Sequence, residues 1–183
     1  MASAPRYRPH YTVADYALWE GDWELWNGTA VSMSPSPLAP HERAVARLVF
    51  QIEGALLRQD CRCATYAGLD WIVSDDTVVR PDVMVVCGDQ PGRHLERPPS
   101  LAIEVLSEST AEKDRTAKQA LYQSAGVGHY LLVDPVGKTI EWLILGEDGL
   151  YHDRSAEVAA TGSFQVTLGD GCRIDFDRTI TFA

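Results

Sequence analysis

The chain has no apolar run long enough to cross a bilayer. Its longest, such as Leu131-Leu132-Val133, fall far short of the roughly 20 residues a spanning helix needs. The N-terminus also lacks the apolar stretch of a signal peptide, and together these absences point to a cytoplasmic protein without a membrane partner. Cysteine is scarce. Cys61, Cys63, Cys87 and Cys172 form neither a Cys-x-x-Cys pair nor a zinc-type double pair with nearby histidines, so they read as reduced, mostly buried thiols. The phosphate-cradling GxxxxGK[ST], the GxGxxG loop and the Gly-x-Ser-x-Gly elbow are all missing. Ser107 and Ser109 lie near Glu104, but neither has the local signature of a serine nucleophile with a positioned histidine. Positive charge is short as well: 16 Lys and Arg stand against 26 Asp and Glu, for a formal net charge of −10. Nucleic-acid binders gain affinity by neutralising phosphates. Any contact with DNA must therefore rest on a local patch, for which Arg43, Arg47, Lys113, Arg115 and Lys118 are available, or on a basic partner or second subunit.

What is present is enough for one compact core. With 183 residues, 45% of them hydrophobic, and no repeat, low-complexity segment or linker, residues 1–183 read as a single domain. Thr12-Val13-Ala14-Asp15 has the form of a capping box and predicts a short helix to about Trp19. Trp23 to Trp26 and Thr29 to Met33 alternate around Asn27-Gly28, a hairpin signal. Ser34 to Pro40, with three prolines, predicts a loop. From His41 to about Arg58, Val45, Leu48, Val49, Ile52, Leu56 and Leu57 follow the helical period as a core face. Strand-like runs follow at 63–66, 69–73, 77–87 and 101–106, then a helix capped by Ser109 or Thr110 and ending near Gly126, then strands at 129–133 and 139–145. This order predicts an α/β fold with a central mixed β-sheet flanked by helices.

Two acids are out of place in it. Alternation along Leu101 to Leu106 puts Leu101, Ile103 and Val105 on one face and Ala102, Glu104 and Leu106 on the other, so Glu104 is an acid among apolar neighbours. A carboxylate removed from water is costly unless paired, protonated or bound to a metal. Asp82 repeats the signal between Pro81 and the apolar run Val83 to Val86. Strands lie about 4.8 Å apart, so two carboxylates on one sheet face could share a cation, and hard oxygen ligands suit Mg²⁺ or Mn²⁺. On the following helix Asp114, Lys118 and Tyr122 recur at four-residue spacing. Lys118 could point back to hold an attacking water or offset charge on a phosphorane-like transition state, or pair with Asp114 on the surface.

Pro81-Asp82, Glu104-Val105-Leu106 and Lys118 resemble the PD-(D/E)xK nuclease superfamily. A wider set of segments resembles the Uma2 family of restriction-endonuclease-like proteins over about residues 11 to 145. They are Trp23 to Gly28, Met33-Ser34-Pro35 with His41, Arg80 to Val83, Glu104 to Ser107 with Ser109-Thr110, Asp114 to Tyr122, Gly126-Val127 and Tyr130 to Pro135. The sequence departs from the superfamily pattern at Leu106, where a lysine would follow Glu104 by two residues; Lys118 fills the matching place in Uma2-like chains. The resemblance implies a restriction-endonuclease-like fold and an endonuclease that hydrolyses DNA phosphodiester bonds with Mg²⁺ or Mn²⁺. Asp82, Glu104 and Lys118 would be its site, with Glu24 as an additional acid and the Val105 main-chain carbonyl as a metal ligand. His41, beside the proline loop, reads first as a packing or hydrogen-bonding residue. The alternative is a non-catalytic nucleic-acid- or protein-binding module that keeps the fold. A homodimer is expected from Trp19, Trp23 and Trp26 if these are exposed, and from how commonly such enzymes pair.

Overall fold

A computed structural model describes residues 9–33, 38–169 and 171–183. A six-stranded mixed sheet forms its centre, in the order β10 (Tyr151–Asp153), β9 (Thr139–Leu145), β8 (His129–Asp134), β7 (Leu101–Val105), β6 (Val83–Cys87), β3 (Cys63–Ala67). Only β7 and β8 run parallel. A parallel pair needs a crossover; here a helix over residues 111–125, α3, supplies it and lies over the sheet. The flanking helices and central mixed sheet are the architecture that the sequence predicts.

Period-two alternation divides the core in two. Val83, Val85, Leu101, Ile103, Val105, Leu131 and Val133 face the long helix α2 (Ala39–Gln59) and the hairpin of β11 (Ser163–Thr167) and β12 (Arg173–Asp177). On the other face Met84, Val86, Ala102, Leu106, Tyr130 and Leu132 meet Tyr122 of α3 and Trp71 and Val79. Trp71 and Val79 belong to a second, four-stranded sheet ordered β2 (Thr29–Ser32), β1 (Trp23–Trp26), β5 (Thr77–Val79), β4 (Trp71–Ser74). Its β1–β2 hairpin turns on Asn27 and Gly28, both at positive φ (45° and 75°), the backbone a type I′ turn requires.

Several boundaries shift for identifiable reasons. The capping box at Thr12 and Asp15 forms, but α1 (Val13–Tyr16) ends before Trp19. Helix α2 begins at Ala39, because Pro40 is tolerated in a first turn where its missing N–H has no partner to lose. Of the predicted Ser34–Pro40 loop, Ser34 to Pro37 lie outside the described residues. Leu57, expected in the core, is 79% exposed, and Ala44 and Ala55 take core places on α2. The single run predicted over 77–87 is two strands in two different sheets, since Arg80-Pro81-Asp82 breaks the ladder between β5 and β6. The hydroxyls of Ser109 and Thr110 do not cap α3, although Gly126 closes it in the left-handed conformation.

The cysteines correct the reduced-thiol expectation: Cys61 is bonded to Cys172 and Cys63 to Cys87. The second pair are direct partners across the antiparallel β3–β6 ladder, a register that no Cys spacing encodes. Disulfides persist in oxidising surroundings, which runs against the cytoplasmic expectation. Among the described residues no helix is long and apolar enough to cross a membrane. Cys61–Cys172 closes a sequence separation of 111 residues and ties the end of α2 to the C-terminal hairpin. Cys172→Ser is expected to lower unfolding free energy by about 2–5 kcal/mol, measured by denaturant titration under non-reducing conditions.

Candidate active site

The site forms where the C-terminal end of β7 passes beneath α3 and beside the small sheet. Glu104 stands on the face that Ala102 and Leu106 share and is only 2% exposed. Its Oε1 accepts a hydrogen bond from the Tyr122 hydroxyl at 2.6 Å and lies 2.8 Å from Lys118 Nζ. Lys118 reaches it because the middle of α3, Asp114–Lys118, is a π turn, a widening often found where a helix carries function. The Tyr130 hydroxyl donates to the Asp114 carbonyl at 3.0 Å and pins that turn. Asp114, Lys118 and Tyr122 are therefore all buried, and the surface-pair reading of Asp114 and Lys118 is ruled out.

Glu24 enters from β1 and is equally buried. Its Oε1 accepts from the Arg80 amide at 3.1 Å and lies 3.6 Å from Lys118; its Oε2 accepts from Trp26 Nε1 at 2.9 Å and pairs with Lys113. Lys118 thus stands within 3.6 Å of Glu24, Glu104 and Asp114 at once.

Asp82 is 27% exposed in its side chain, the most open of these acids. The break at Pro81 lets its carboxylate fill a ladder position, where Oδ2 accepts from the Val105 amide at 2.7 Å. Val83 pairs with Ile103 and Met84 with Ala102, so the same register sets Asp82 across from Glu104, and its charge acts on that carboxyl. His41 Nε2 lies 3.3 Å from the same oxygen, so His41 belongs to the site's surroundings, nearer to Asp82 than a packing role required. His41 Nδ1 lies 3.6 Å from Glu42 Oε1 and has no hydrogen-bond partner among the described residues.

Charge sets the chemistry. Burial pushes the Glu24 carboxyl up, but the Lys118 and Lys113 ammoniums outweigh it and hold the group down at about 2. Burial drives Glu104 the other way; Asp82 and Asp114 add to the rise against the pull of Lys118, and the carboxyl is pushed up to about 8. Asp114 also moves up by burial, against Lys118. Burial alone would lower Lys118, yet the three carboxylates raise it, so it stays an ammonium. It can stabilise negative charge but cannot take a proton from water.

Three buried carboxyl groups thus meet two ammoniums, with Lys118 Nζ 3.6 Å from Asp114 Oδ1, an atom that has no hydrogen-bond partner among the described residues. Among the described residues, no three carboxylate, imidazole or thiolate groups are arranged to hold an ion as they stand. The lysines lie between the acids instead. The donor set, hard carboxylate oxygens short of positive charge, nevertheless fits a hard divalent cation.

The pieces outside this cluster fare differently. Arg43 and Arg47 donate to the carbonyls of Ala183 and Ile180, and Arg115 pairs with Glu141, so three of the five members of the basic patch expected from sequence hold contacts within the chain. Trp19, Trp23 and Trp26 are half-buried, with Trp19 packed edge-on against Tyr11, Tyr16 and Trp23, which removes the exposed-tryptophan argument for a homodimer. Sequence reasoning missed Lys113 and Trp26 as site neighbours: nothing in the spacing ties 113 to 24, whereas the i, i+2 relation of Glu24 and Trp26 on β1 is the signal that could have found the indole.

The family model described as “Putative restriction endonuclease”, Uma2, matches residues 13–174. The chain belongs to the Uma2 family. This member also resembles a solved structure of a “putative nuclease belonging to DUF820” from Anabaena variabilis ATCC 29413. The TM-score is 0.73 at 15% identity, with 93% of this chain and 97% of that one covered, a likeness of fold. No curated protein matches the chain. The family match spans the segments carrying Glu24, Asp82, Glu104 and Lys118, so this Uma2 chain has a nuclease-like frame around its acid and lysine cluster.

The raised Glu104 group has a measurable consequence. Below about pH 8 the folded protein keeps a proton on Glu104 that the unfolded chain loses in the ordinary carboxylate range, so this group's contribution to stability falls as pH rises through that window. A cation taken up there must displace the proton. Mg²⁺ or Mn²⁺ binding is expected to strengthen toward pH 8 and release protons at neutral pH, read by calorimetry in buffers of different ionisation enthalpy. Affinity flat across that range would contradict it.

Proposed function

We propose that this protein is a divalent-metal-dependent endonuclease that hydrolyses DNA phosphodiester bonds, with Asp82 and Glu104 holding Mg²⁺ or Mn²⁺, aided by Glu24 and the Val105 carbonyl. The observation that carries the reading is the buried Lys118 ammonium, held 2.8 Å from Glu104 and 3.6 Å from Glu24. A permanent cation buried among acids is costly to desolvate for folding alone and useful where a dianionic phosphorane develops.

The bound cation would polarise the phosphate and lower the pKa of the attacking water. Tyr122 orients Glu104 through its hydroxyl, and the Val105 amide fixes Asp82. Lys118 keeps its proton and faces the charge that builds on the non-bridging oxygens. The open side of Asp82 is where substrate would approach, and the buried side of Glu104 and Lys118 excludes bulk water.

The acidic surface and the internally spent arginines favour a second reading, a binding module that keeps the fold without cleaving. Supercoiled plasmid, single-stranded oligodeoxynucleotide and RNA, each incubated with Mg²⁺, Mn²⁺ or EDTA, separate the two. Metal-dependent nicking of DNA is expected. Cation binding with no cleavage of any substrate would support the binding module.

A further inference from the structure

Glu24 is saturated: Arg80 N–H, Trp26 Nε1 and Lys113 all donate to its two oxygens, and Lys118 stands 3.6 Å away. It can take a cation only by giving up one of these donors. Three of the four are fixed, as a backbone amide, an indole on the same strand and a buried lysine. Lys113 alone is displaceable. Its side chain is 32% exposed, it extends from the first turn of α3, and its Nζ sits 4.8 Å above the Trp26 ring.

We infer that Lys113 is an exchangeable counter-ion of Glu24: its ammonium occupies the cation-facing side of that carboxylate in the metal-free protein and yields it when a divalent cation arrives. Released at the mouth of the site, it then contacts a phosphodiester oxygen of the substrate. The inference rests on the metal-dependent reading above and adds a substrate-positioning residue to it. Burial of the Glu24 carboxylate explains why a stand-in is needed. Lys118 alone is shared among Glu24, Glu104 and Asp114, whereas a second, flexible lysine pairs with Glu24 directly and can leave without unfolding α3. The Trp26 face adds attraction that holds the ammonium in place and is weak enough to release it.

The sequence makes the test clean, because the chain has only three lysines, Lys113, Lys118 and Lys138. Lys118 is buried and Lys138 is exposed, so Lys138 serves as an internal control. The intact protein would be acetylated with an amine-reactive ester, with and without Mg²⁺ or Mn²⁺, and each lysine quantified by mass spectrometry. Lys113 labelling is expected to rise several-fold with cation while Lys138 is unchanged, and added oligodeoxynucleotide should then protect Lys113. In parallel, calorimetry should show Lys113→Met binding the cation several-fold more tightly than wild type, with Lys113→Arg close to wild type. Cation binding to wild type with flat Lys113 labelling and unaltered affinity in Lys113→Met would overturn the exchange and leave the metal site standing. Rising labelling without protection by oligodeoxynucleotide would overturn the phosphate contact. Absence of cation binding to both wild type and Lys113→Met would overturn the inference together with the reading beneath it.

Discussion

Lys118→Met is expected to lower metal-dependent DNA cleavage by on the order of 10²–10³, the cost of removing one preorganised donor from a developing oxyanion. The substitution keeps the length of the side chain and removes its charge. Glu24, Glu104 and Asp114 then share a pocket with no ammonium except Lys113 at the mouth. Breaking a buried pair by deleting one partner costs about 3–5 kcal/mol. Part of that cost is avoided here, because Glu104 already holds its proton up to about pH 8 and can stay neutral when Lys118 is gone. The variant should therefore fold with reduced stability, and cleavage must be compared well below its melting temperature. Cleavage within a few-fold of wild type in the folded variant would remove Lys118 from the chemistry.

Glu104→Gln should separate function from stability more sharply. Gln has the same shape, can still accept from the Tyr122 hydroxyl, and removes a carboxylate that burial already disfavours. Its melting temperature is expected to lie close to wild type at neutral pH, since Glu104 already holds its proton up to about pH 8 and Gln is a neutral group of the same shape. Cleavage should fall on the order of 10³-fold, because the carboxylate ligand proposed above would supply several kcal/mol of transition-state stabilisation through the cation and about 1.4 kcal/mol is tenfold in rate. Thermal melting and plasmid nicking on the same preparation check both halves. A large loss of stability with unchanged nicking would mean that Glu104 is structural.

Much of this arrangement is legible in the residues themselves. Alternation over Leu101 to Leu106 places Glu104 on the face with Ala102 and Leu106, where it is found, because a pleated strand leaves its side chains no other option. The Asn27-Gly28 turn and the long α2 follow from backbone freedom and helical period in the same way. Lys118 is reached by four-residue spacing from Asp114, but its depth is not, since burial depends on how α3 lies over the sheet and on a π turn that has no local signature. The role of Glu24 came only from family resemblance, because β1 meets β5 through a long-range pairing of Leu25 with Val78. Lys113 is legible as a surface cation, but its pairing with Glu24 is not, since that partner lies 89 residues away. The cysteines show the limit most plainly: Cys63 and Cys87 have unremarkable spacing and become neighbours only once β3 and β6 pair.

Asp82 is the most exposed acid of the cluster, held by the Val105 amide and the His41 imidazole and by neither Lys113 nor Lys118. Its replacement disturbs the buried lysine network least while removing a proposed ligand. Wild type and Asp82→Ala should be titrated with Mn²⁺ by calorimetry and assayed for plasmid nicking from the same preparations. The account predicts cation binding and nicking in wild type and loss of both in folded Asp82→Ala; nicking that persists unchanged in Asp82→Ala would contradict it.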